Sequence, residues 1–439
     1  MTAGAPEKAK TLSTAPVTEK GSVLALTALW WASSMDDAEH TPELRWPLSI
    51  RVYDQMRRQD PQVMSVLRAV KLPIRRTTWR IAPNGAPPEV VQFCADELGL
   101  PIVGEQPRPA LRTRDRFSWA DHLRLALLNL DYGHSFFEQT YRIEGGFAHL
   151  RKLGWRPPRT ITEVKVARDG GLESIMQGED EITIDRLVVY VQEREGGNWL
   201  GQSLLRPAYK PWLLKDRALR VQAQTLERNG LGIPVYIAGP PPDAEGLSKE
   251  EIALMVHEEM TDGAKLAQAY RAGDNSGAAI RNEAKLQLTG VTGTLPDSDK
   301  PIRYYDEQIA AAVLANFLSL GGSNSTGSYA LGATFADFFV QSLQTVALEI
   351  ADVATMHIVE DLVDINFGTD VPAPRIVFDE IGASQQATAV AIKALIDCGA
   401  ILSDEKLETF LRERYGLPAA DPASSRTAPT PTPTAGAPA

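Results

Sequence analysis

The sequence predicts an α+β fold organised around one very long helix, and three observations indicate it. From Phe335 to Ile365, apolar residues recur at spacings of three and four with no proline, which is the period of one helical face. Residues 136–193 are instead rich in residues that favour strands, and they carry glycine turn signals. The chain has 439 residues, 44% of them hydrophobic, so it can bury a core against both parts. At about 1.5 Å per residue the helix is expected to be roughly 45 Å long and to need an extended scaffold.

Composition and charge exclude several protein classes. The chain has no apolar run of about 18 residues or more, and its polar first residues lack the apolar core of a signal peptide, so we expect no membrane association. Cys94 and Cys398 are the only cysteines, which rules out a disulfide framework and is typical of a reducing compartment. The net charge of −11 argues against a protein that binds nucleic acid over its whole surface.

The first part of the chain is predicted to be helical and to end in a strand. Residues 1–23 are rich in Ala, Thr, Pro and Lys and have no period, so we expect a disordered arm. Residues 44–80 predict two short helices separated at Asp60-Pro61, followed by the strand TTWRIAP. Two amphipathic helices come next, PPEVVQFCADELG and SWADHLRLALLNLDYG. We expect Ser118 to cap the second helix and Gly133 to end it.

The next part is predicted to be mostly β. Hairpins are indicated around Glu144-Gly145-Gly146 and around Asp169-Gly170-Gly171, each between strand-favouring runs. The segment EITIDRLVVYVQE is expected to form a strand pair or one long strand. His134 lies at a helix-to-strand junction and has no partner at metal-ligand spacing, so we expect it to be structural.

Two further helices flank a small α/β insertion. The first is predicted over 206–228, with two prolines in its first turns and Asn229-Gly230 at its end. The second is predicted over 301–320, where apolar residues again follow a helical period. Between them, GIPVYIAG and AAIRNEAKLQLTGV favour strands, and SKEEIALMVHEEMTDG favours a Ser-capped helix.

A polar break separates the helix over 301–320 from the long helix. The run GGSNSTGSYALG, Gly321 to Gly332, has no apolar period, and its glycines allow backbone conformations that a helix forbids. After the long helix, PRIVFDEI favours a strand, and two helices are expected between residues 383 and 416. Residues 417–439 are rich in Pro, Thr and Ala and are predicted to be disordered.

No catalytic residue, cofactor or metal site is predicted. The glycine-rich run resembles a phosphate loop, but it lacks the lysine that would reach the phosphates. The segment HEEMT lacks the second histidine of a zinc protease, and GQSLL lacks the last glycine of a nucleophile elbow. We therefore expect a protein that is not an enzyme.

A distinctive block follows the β-rich part and reads NWLGQSLLRPAYKPWLLKDRALRVQAQTLERNGLGIPV. Its most specific residues are Trp199, Gly201, Ser203 to Tyr209, Leu214, Lys215, Glu227, Arg228 and Gly230. With the insertion, then YYDEQIAAAVLANFL, a Ser/Gly-rich loop and a long helix, this block resembles tailed-bacteriophage portal proteins, and among them the Mu-like portal group. The resemblance covers roughly residues 24–416, which is nearly all of the predicted folded part.

The resemblance implies a portal-type fold with a mixed α/β wing, two stem helices, a small α/β clip, a long wing helix and a helical crown. By position these would be the wing at 24–203, the stem helices at 204–229 and 301–320, the clip at 231–300, a tunnel loop at 321–330, the long helix with a wing strand at 331–382, and the crown at 383–416. The tunnel loop would face DNA through Gly321, Gly322, Ser323, Asn324, Ser325, Thr326, Gly327 and Ser328.

The resemblance also implies a function and partners. A portal protein forms a homo-oligomeric ring, expected to be a dodecamer, at one capsid vertex, and double-stranded DNA passes through it during packaging and ejection. The implied partners are the terminase large subunit and the capsid, scaffold and head–tail adaptor proteins, with no membrane. The implied location is the virion, with the host cytoplasm during assembly.

Alternatives stay open at this point. The chain could be another phage head protein, such as a capsid or minor head subunit, because only the Trp199–Tyr209 block separates a portal from these. It could also be an enzyme that acts on nucleic acid through the Arg-rich N-terminal half, although no carboxylate constellation supports this. For the glycine-rich run alone, a linker between packed helices is the simpler interpretation.

Charge is distributed unevenly along the chain. Residues 51–80 carry eight Arg or Lys and two Asp, whereas the stretch between Arg303 and Arg375 has nine acids and no Lys or Arg. An exposed helix usually mixes both signs at i,i+4 spacing. Glu349 and Asp352 on the long helix therefore have two candidate roles: they pair with basic residues of the N-terminal half, or they line a channel wall that repels DNA phosphates.

Overall fold

The structure is a computed structural model that describes residues 39–105, 117–231, 233–240, 246, 248–269, 280, 283–289, 297, 299–313 and 328–382. The predicted arm, crown helices and C-terminal tail lie outside these residues. The described part is α+β, as predicted, with four small antiparallel sheets among its helices. No helix in this part is long and apolar enough to cross a bilayer.

The first helices of the described chain lead to a strand. Helix α1 spans Leu48–Gln59, α2 Pro61–Arg76, strand β1 Trp79–Ala82 and helix α3 Pro88–Leu98. The break predicted at Asp60-Pro61 is confirmed, because the Asp60 carboxylate accepts hydrogen bonds from the backbone N–H groups of Gln62 and Val63 and so caps α2. The strand predicted in TTWRIAP is confirmed at its centre, where WRIA forms β1.

The helix predicted from Ser118 to Gly133 is interrupted. It forms α4, Trp119–Ala126, and α5, Asn129–Tyr132, with a turn between them. The turn allows both Leu127 and Leu130 to be buried. The prediction that Ser118 caps the helix was wrong, since its side chain makes no capping hydrogen bond.

Two three-stranded antiparallel sheets form the β-rich part. Their strands are β2 His134–Glu144, β3 Phe147–Arg156, β4 Glu163–Val166, β5 Leu172–Gln177, β6 Asp180–Thr183 and β7 Leu187–Val191. The strand order is β3-β2-β7 in one sheet and β4-β5-β6 in the other, so both predicted hairpins are confirmed. The segment EITIDRLVVYVQE forms two strands that belong to different sheets. Buried residues of both sheets, among them Phe136, Ile175 and Val189, share one core.

Two helices and a two-stranded sheet with its own helix follow. They are α6 Tyr209–Leu231, β8 Ile233–Ile237, α7 Lys249–Ala269, β9 Lys285–Thr289 and α8 Asp299–Ala312. Strands β8 and β9 pair antiparallel, α7 packs on β8, and α6 packs on α8. The predicted α/β insertion is confirmed, while several predicted helix ends were wrong.

The wrong helix ends have local causes. Helix α6 begins at Tyr209 because residues 204–208 form turns, in which the Arg206 N–H donates to the Ser203 carbonyl at 3.0 Å. It also continues through Asn229-Gly230 to Leu231. Helix α7 continues through Gly263 to Ala269, because this glycine permits a close approach to β8 and does not end the helix.

The long helix is longer than predicted and contains a local irregularity. Helix α9 spans Ser328–Ala354, a π-helical turn spans Thr355–Val359, and α10 spans Glu360–Phe367. At about 1.5 Å per residue the whole extends roughly 60 Å. Residues 328–332 are helical, so the irregular backbone predicted there was wrong. Gly332 costs only about 1 kcal/mol inside a helix, and extending a formed helix adds a hydrogen bond per residue.

The last described strand closes the fold onto its first strand. Strand β10, Arg375–Phe378, pairs antiparallel with β1. Two side-chain bonds extend this contact: the Thr77 hydroxyl donates to the Asp379 carbonyl at 2.6 Å, and Arg80 Nε donates to the Asp379 carboxylate at 3.2 Å. The buried face of the long helix, which includes Leu343 and Ile350, therefore packs beside the N-terminal helices.

Candidate functional site

The distinctive block at Trp199–Tyr209 is a structural joint between the β-rich part and helix α6. The Trp199 indole N–H donates to the Gly170 carbonyl at 2.8 Å. The Ser203 hydroxyl donates to the Asp131 carbonyl at 2.6 Å and accepts from the Leu205 N–H at 3.0 Å. The side chains of Leu205 and Tyr209 then enter the core formed with α1 and α2. Each of these residues fixes the direction in which α6 leaves the sheet.

Two glycines of this joint pack backbone against backbone. A Cβ on Gly201, which has φ +62°, would lie 2.4 Å from the Gly133 carbonyl oxygen and 2.5 Å from the Gln192 carbonyl oxygen. Gly133 ends α5 as predicted, with φ +91°. His134 next to it is buried, its Nδ1 lies 2.9 Å from the Leu200 carbonyl oxygen, and burial lowers its pKa to about 4. A structural place for His134 matches the prediction.

A buried lysine joins α6 to α8 and to the start of α2. Lys215 Nζ lies 2.9 Å and 3.0 Å from the two carboxylate oxygens of Asp60 and 2.6 Å from Asp306 Oδ1. Burial alone lowers the pKa of Lys215, but its hydrogen bonds to Asp306 and Asp60 outweigh burial and raise the pKa. Because Asp60 also caps α2, one ammonium group ties three helices together.

The β8–β9 sheet is held to α7 through a glycine contact. A Cβ on Gly263 would lie 2.1 Å from the Tyr236 ring, so the ring occupies the space that any larger residue needs. The Tyr236 hydroxyl donates to Glu259 Oε1 at 3.0 Å. Ser248 and Glu251 form a capping box at the start of α7, which confirms the predicted Ser cap.

Glu349 and Asp352 lie one turn apart on the exposed side of α9. Among the residues that the structure describes, neither carboxylate has a Lys or Arg within salt-bridge distance. Partial burial, and secondarily the carboxylate of Glu193, raise the pKa of Glu349. Pairing within the described part of the chain, one of the two predicted roles, is therefore not found for these two acids.

The π-helical turn is contacted by one buried amide. Gln139 on β2 donates through Nε2 to the His357 carbonyl at 2.6 Å and to Asp361 Oδ2 at 2.7 Å. The Tyr141 hydroxyl donates to the amide oxygen of Gln139. Burial raises the pKa of Asp361. The amide thus fixes the sheet to the long helix where the helical hydrogen-bond pattern changes.

Other sequence-predicted positions lie elsewhere. Gly321 to Gly327 of the predicted tunnel loop are outside the described residues, and Ser328 is the first residue of α9. The described ranges hold no group of three or more His, Cys, Asp or Glu that could bind a metal. Cys94 is buried, and burial raises the pKa of its thiol to about 12.

Comparison with known proteins decides the family. A family model described as the portal protein of Mu bacteriophage matches residues 50–417. The chain belongs to this portal protein family. It is thus a phage portal protein, as the block at Trp199–Tyr209 predicted.

Two solved structures are similar to this chain. One, from the neck of an empty gene transfer agent particle computed with C6 symmetry, is 14% identical, with a TM-score of 0.53 over 84% of this chain and 94% of that chain. An HK97-family phage portal protein from Corynebacterium diphtheriae is 13% identical, with a TM-score of 0.39 over 73% of this chain and 93% of that chain.

Sequence reasoning missed the contacts that build this portal subunit. It named Lys215 only as part of the family block and did not connect it with Asp60 or Asp306. The one available signal was Asp60 before Pro61, which is typical of a helix N-cap. Gln139 gave no signal, since a glutamine within a strand predicts neither burial nor contact with a helix.

Proposed function

We propose that the chain assembles into a ring, expected to be a dodecamer, at one vertex of a phage capsid, and that double-stranded DNA passes through the ring during packaging and ejection. The observation that carries this proposal is the family match over residues 50–417. The fold shared with a particle-neck subunit supports it.

The subunit divides into proposed functional parts. The wing is formed by residues 24–203 with the long helix and its strand, 331–382. The stem is formed by residues 204–229 and 301–320, which include most of α6 and of α8, and the clip is residues 231–300. Support for the stem comes from the contact of α6 with α8 and from the Lys215 bridge to Asp306. Support for the clip comes from a two-stranded sheet and one helix that are inserted between the two stem helices. The crown is proposed for 383–416.

The proposed channel residues precede the long helix. Gly321, Gly322, Ser323, Asn324, Ser325, Thr326, Gly327 and Ser328 are small or polar and carry no charge. Such a loop contacts a DNA backbone without the tight, salt-dependent affinity that Lys or Arg would create. Glu349 and Asp352 are proposed to face either this channel or a neighbouring subunit.

The proposed partners follow from the position of a portal in a virion. They are the terminase large subunit, the capsid and scaffold proteins, and the head–tail adaptor. The role is structural and not catalytic, so the purified protein is expected neither to hydrolyse ATP nor to cut DNA. Assembly would take place in the host cytoplasm.

Ring formation is tested by size and by direct imaging. The purified protein is expected to elute far above monomer mass in size-exclusion chromatography with light scattering at moderate salt. Electron microscopy should show subunits around an axial hole. A strictly monomeric species at every protein and salt concentration would overturn the proposal.

The channel assignment is tested by shortening the loop. Deletion of Ser323–Thr326 should leave folding and ring size unchanged, because these residues would touch DNA and not the core, but it should impair DNA packaging or retention. The matched control replaces the same four residues with alanine and keeps the length. If the deletion lowers the melting temperature measured by circular dichroism, the segment is a structural linker and the assignment fails.

A further inference from the structure

The outer side of the long helix carries an unusual mixture of residues. Large apolar side chains are exposed there, with Phe338 62% exposed, Leu348 53% and Met356 55%. Glu349 and Asp352 lie between them on the same side, since all five recur at helical spacing. We call these five residues the acidic stripe. A wall that only repels DNA phosphates would need the acids but not the exposed apolar side chains.

The outer side of α2 carries the opposite charge in a similar setting. Arg68, Arg75 and Arg76 are exposed, and Leu72 is 52% exposed between them. Within the described ranges, none of these three arginines has a carboxylate at salt-bridge distance. We call these four residues the basic stripe. Their spacing places them along one face of α2 over about two turns.

Among the described residues of one subunit, no salt bridge joins the two stripes. Helix α2 packs against α9 and α8, and the residues that it buries include Val66 and Val70, which do not belong to the basic stripe. Glu349 has instead a second carboxylate, Glu193, in its vicinity. An acid with an acidic neighbour is less stable in the isolated chain than it is beside a cation. Among the described residues, the acids of the acidic stripe thus have no cation beside them, and the arginines of the basic stripe have no carboxylate.

We propose that the acidic stripe of one subunit binds the basic stripe of the next copy of this chain, and that this contact forms part of the ring interface. The inference rests on the proposed ring. The exposed apolar residues of both stripes supply burial, while the arginine and carboxylate groups next to them select the partner and the register. A second copy is favoured over DNA because phosphates would be repelled by Glu349 and Asp352.

Charge reversal with complementation tests the contact. One variant, Glu349→Lys/Asp352→Lys, makes both stripes positive; the other, Arg68→Glu/Arg75→Glu, makes both negative. Alone, each should need at least tenfold more protein than wild type to reach half assembly, measured by light scattering at 0.15 M salt, an ionic strength of about physiological value. Mixed in equal amounts, the two should form rings in which they alternate, and native mass spectrometry should find equal numbers of each.

Controls separate this inference from the ring itself. The variant Arg159→Glu/Arg186→Glu changes the net charge by the same amount at exposed wing positions and should assemble as wild type does. If wild type forms rings and both stripe variants also do so normally, the contact is wrong while the ring stands. If wild type forms no ring, the ring proposal fails first, and this contact fails with it.

Two further outcomes also overturn the contact. Rings of Glu349→Lys/Asp352→Lys that form normally and retain DNA in a salt-dependent way would assign these acids to the channel wall. A monomer of this variant that melts at a lower temperature, without recovery of assembly on mixing, would show that another segment of the same chain covers the stripe.

Discussion

The proposed wing and the proposed clip are stabilised in different ways. In the wing, the side chains of Phe136, Phe137 and Tyr190 are at most 1% exposed, and sheets and helices cover one another. In the clip, a two-stranded sheet is covered by one helix. Large apolar residues of that unit stay exposed, namely Val235, Ile237, Leu254, Met255, Val256 and Met260.

This difference indicates what each part needs from its surroundings. A two-stranded sheet is marginal on its own in water, so the clip depends on the packing of α7 and on whatever covers its apolar surface. The proposed wing contains buried cores of its own, so we expect it to fold without help from a partner. We therefore expect substitutions in the wing to act on the whole subunit and substitutions in the clip to act locally.

The largest expected effect is at the junction between stem and wing. Lys215→Met leaves the Asp60 carboxylate buried without its cation, and breaking a buried ion pair costs about 3–5 kcal/mol. Denaturant unfolding should show this loss for the wing. Arg220→Met is the control, because Arg220 and Asp216 form an exposed pair worth about 0–1 kcal/mol. Equal stability of the two variants would contradict the bridging role of Lys215.

Acid should weaken the wing before the clip. Burial lowers the pKa of His122 to about 3 and of His134 to about 4, so both stay neutral in the folded wing at pH 5.5. The unfolded chain binds protons there, since free histidine has a pKa of about 6.5. The stability that depends on these two neutral histidines is fully present well above pH 6.5, and it is lost as the pH falls below this value. At pH 5.5 each histidine lowers the free energy of unfolding by about 1.4 kcal/mol relative to neutral pH, and the two together lower it by nearly 3 kcal/mol.

The acid effect is measured by urea unfolding at pH 7.5 and pH 5.5, and His122→Gln should remove about half of the difference. The carboxyls of Glu349 and Asp361 act in the opposite direction, because their raised pKa values add stability as the pH falls. These two carboxyls therefore reduce the loss of stability between pH 7.5 and pH 5.5. An unchanged urea midpoint between the two pH values would contradict a neutral, buried His122 and His134.

Alanine substitutions at two glycines that have no space for a Cβ allow a direct comparison of the wing with the clip. Gly201→Ala in the wing places a methyl group 2.4 Å from a backbone carbonyl oxygen, and Gly263→Ala in the clip places one 2.1 Å from the Tyr236 ring. Forcing extra volume into a packed site costs about 1–3 kcal/mol. Hydrogen exchange should rise across the whole wing for Gly201→Ala, but only in β8, β9 and α7 for Gly263→Ala. The double variant Gly263→Ala/Tyr236→Ala should lose less free energy of unfolding than the two single variants lose in sum, because the two residues are in contact.

The smallest expected effect is on the exposed clip surface. Leu254 is 60% exposed, so Leu254→Ser should change subunit stability by less than about 0.5 kcal/mol. Leu150→Ala in the wing, where the side chain is 1% exposed, should cost about 2–5 kcal/mol. Thermal melting of both variants checks this. A large loss for Leu254→Ser would show that the clip surface belongs to an internal core.

Local patterns predicted most of the wing but few of its contacts. The hairpins of β2-β3 and β4-β5 followed from glycine turns between strand-favouring runs, which is information contained in adjacent residues. The bridge from Lys215 to Asp60 joins residues 155 positions apart, and no local pattern encodes such a distance. The charge counts indicated that acidic and basic segments are separate, and the exposed sides of α2 and α9 then located them.

The errors at helix ends have a common physical origin. A glycine ends a helix when the backbone must turn, but it continues one when a neighbour needs space, as Tyr236 does at Gly263. Ser118 matched an N-cap by type and yet makes no capping bond. Both outcomes depend on tertiary neighbours, which a single sequence does not specify.

The pairing of β1 with β10 sets the order in which this chain becomes complete during synthesis. Residues Arg80 and Asp379, which bond across this pair, are 299 positions apart. At about 5–20 residues per second, a ribosome needs roughly 15 to 60 s to make the intervening chain. Throughout that time β1 has an open edge, and the apolar residues beneath the future long helix face water. We therefore expect the nascent chain to need protection at this edge, and ribosome stalling before residue 375 should leave it prone to aggregation.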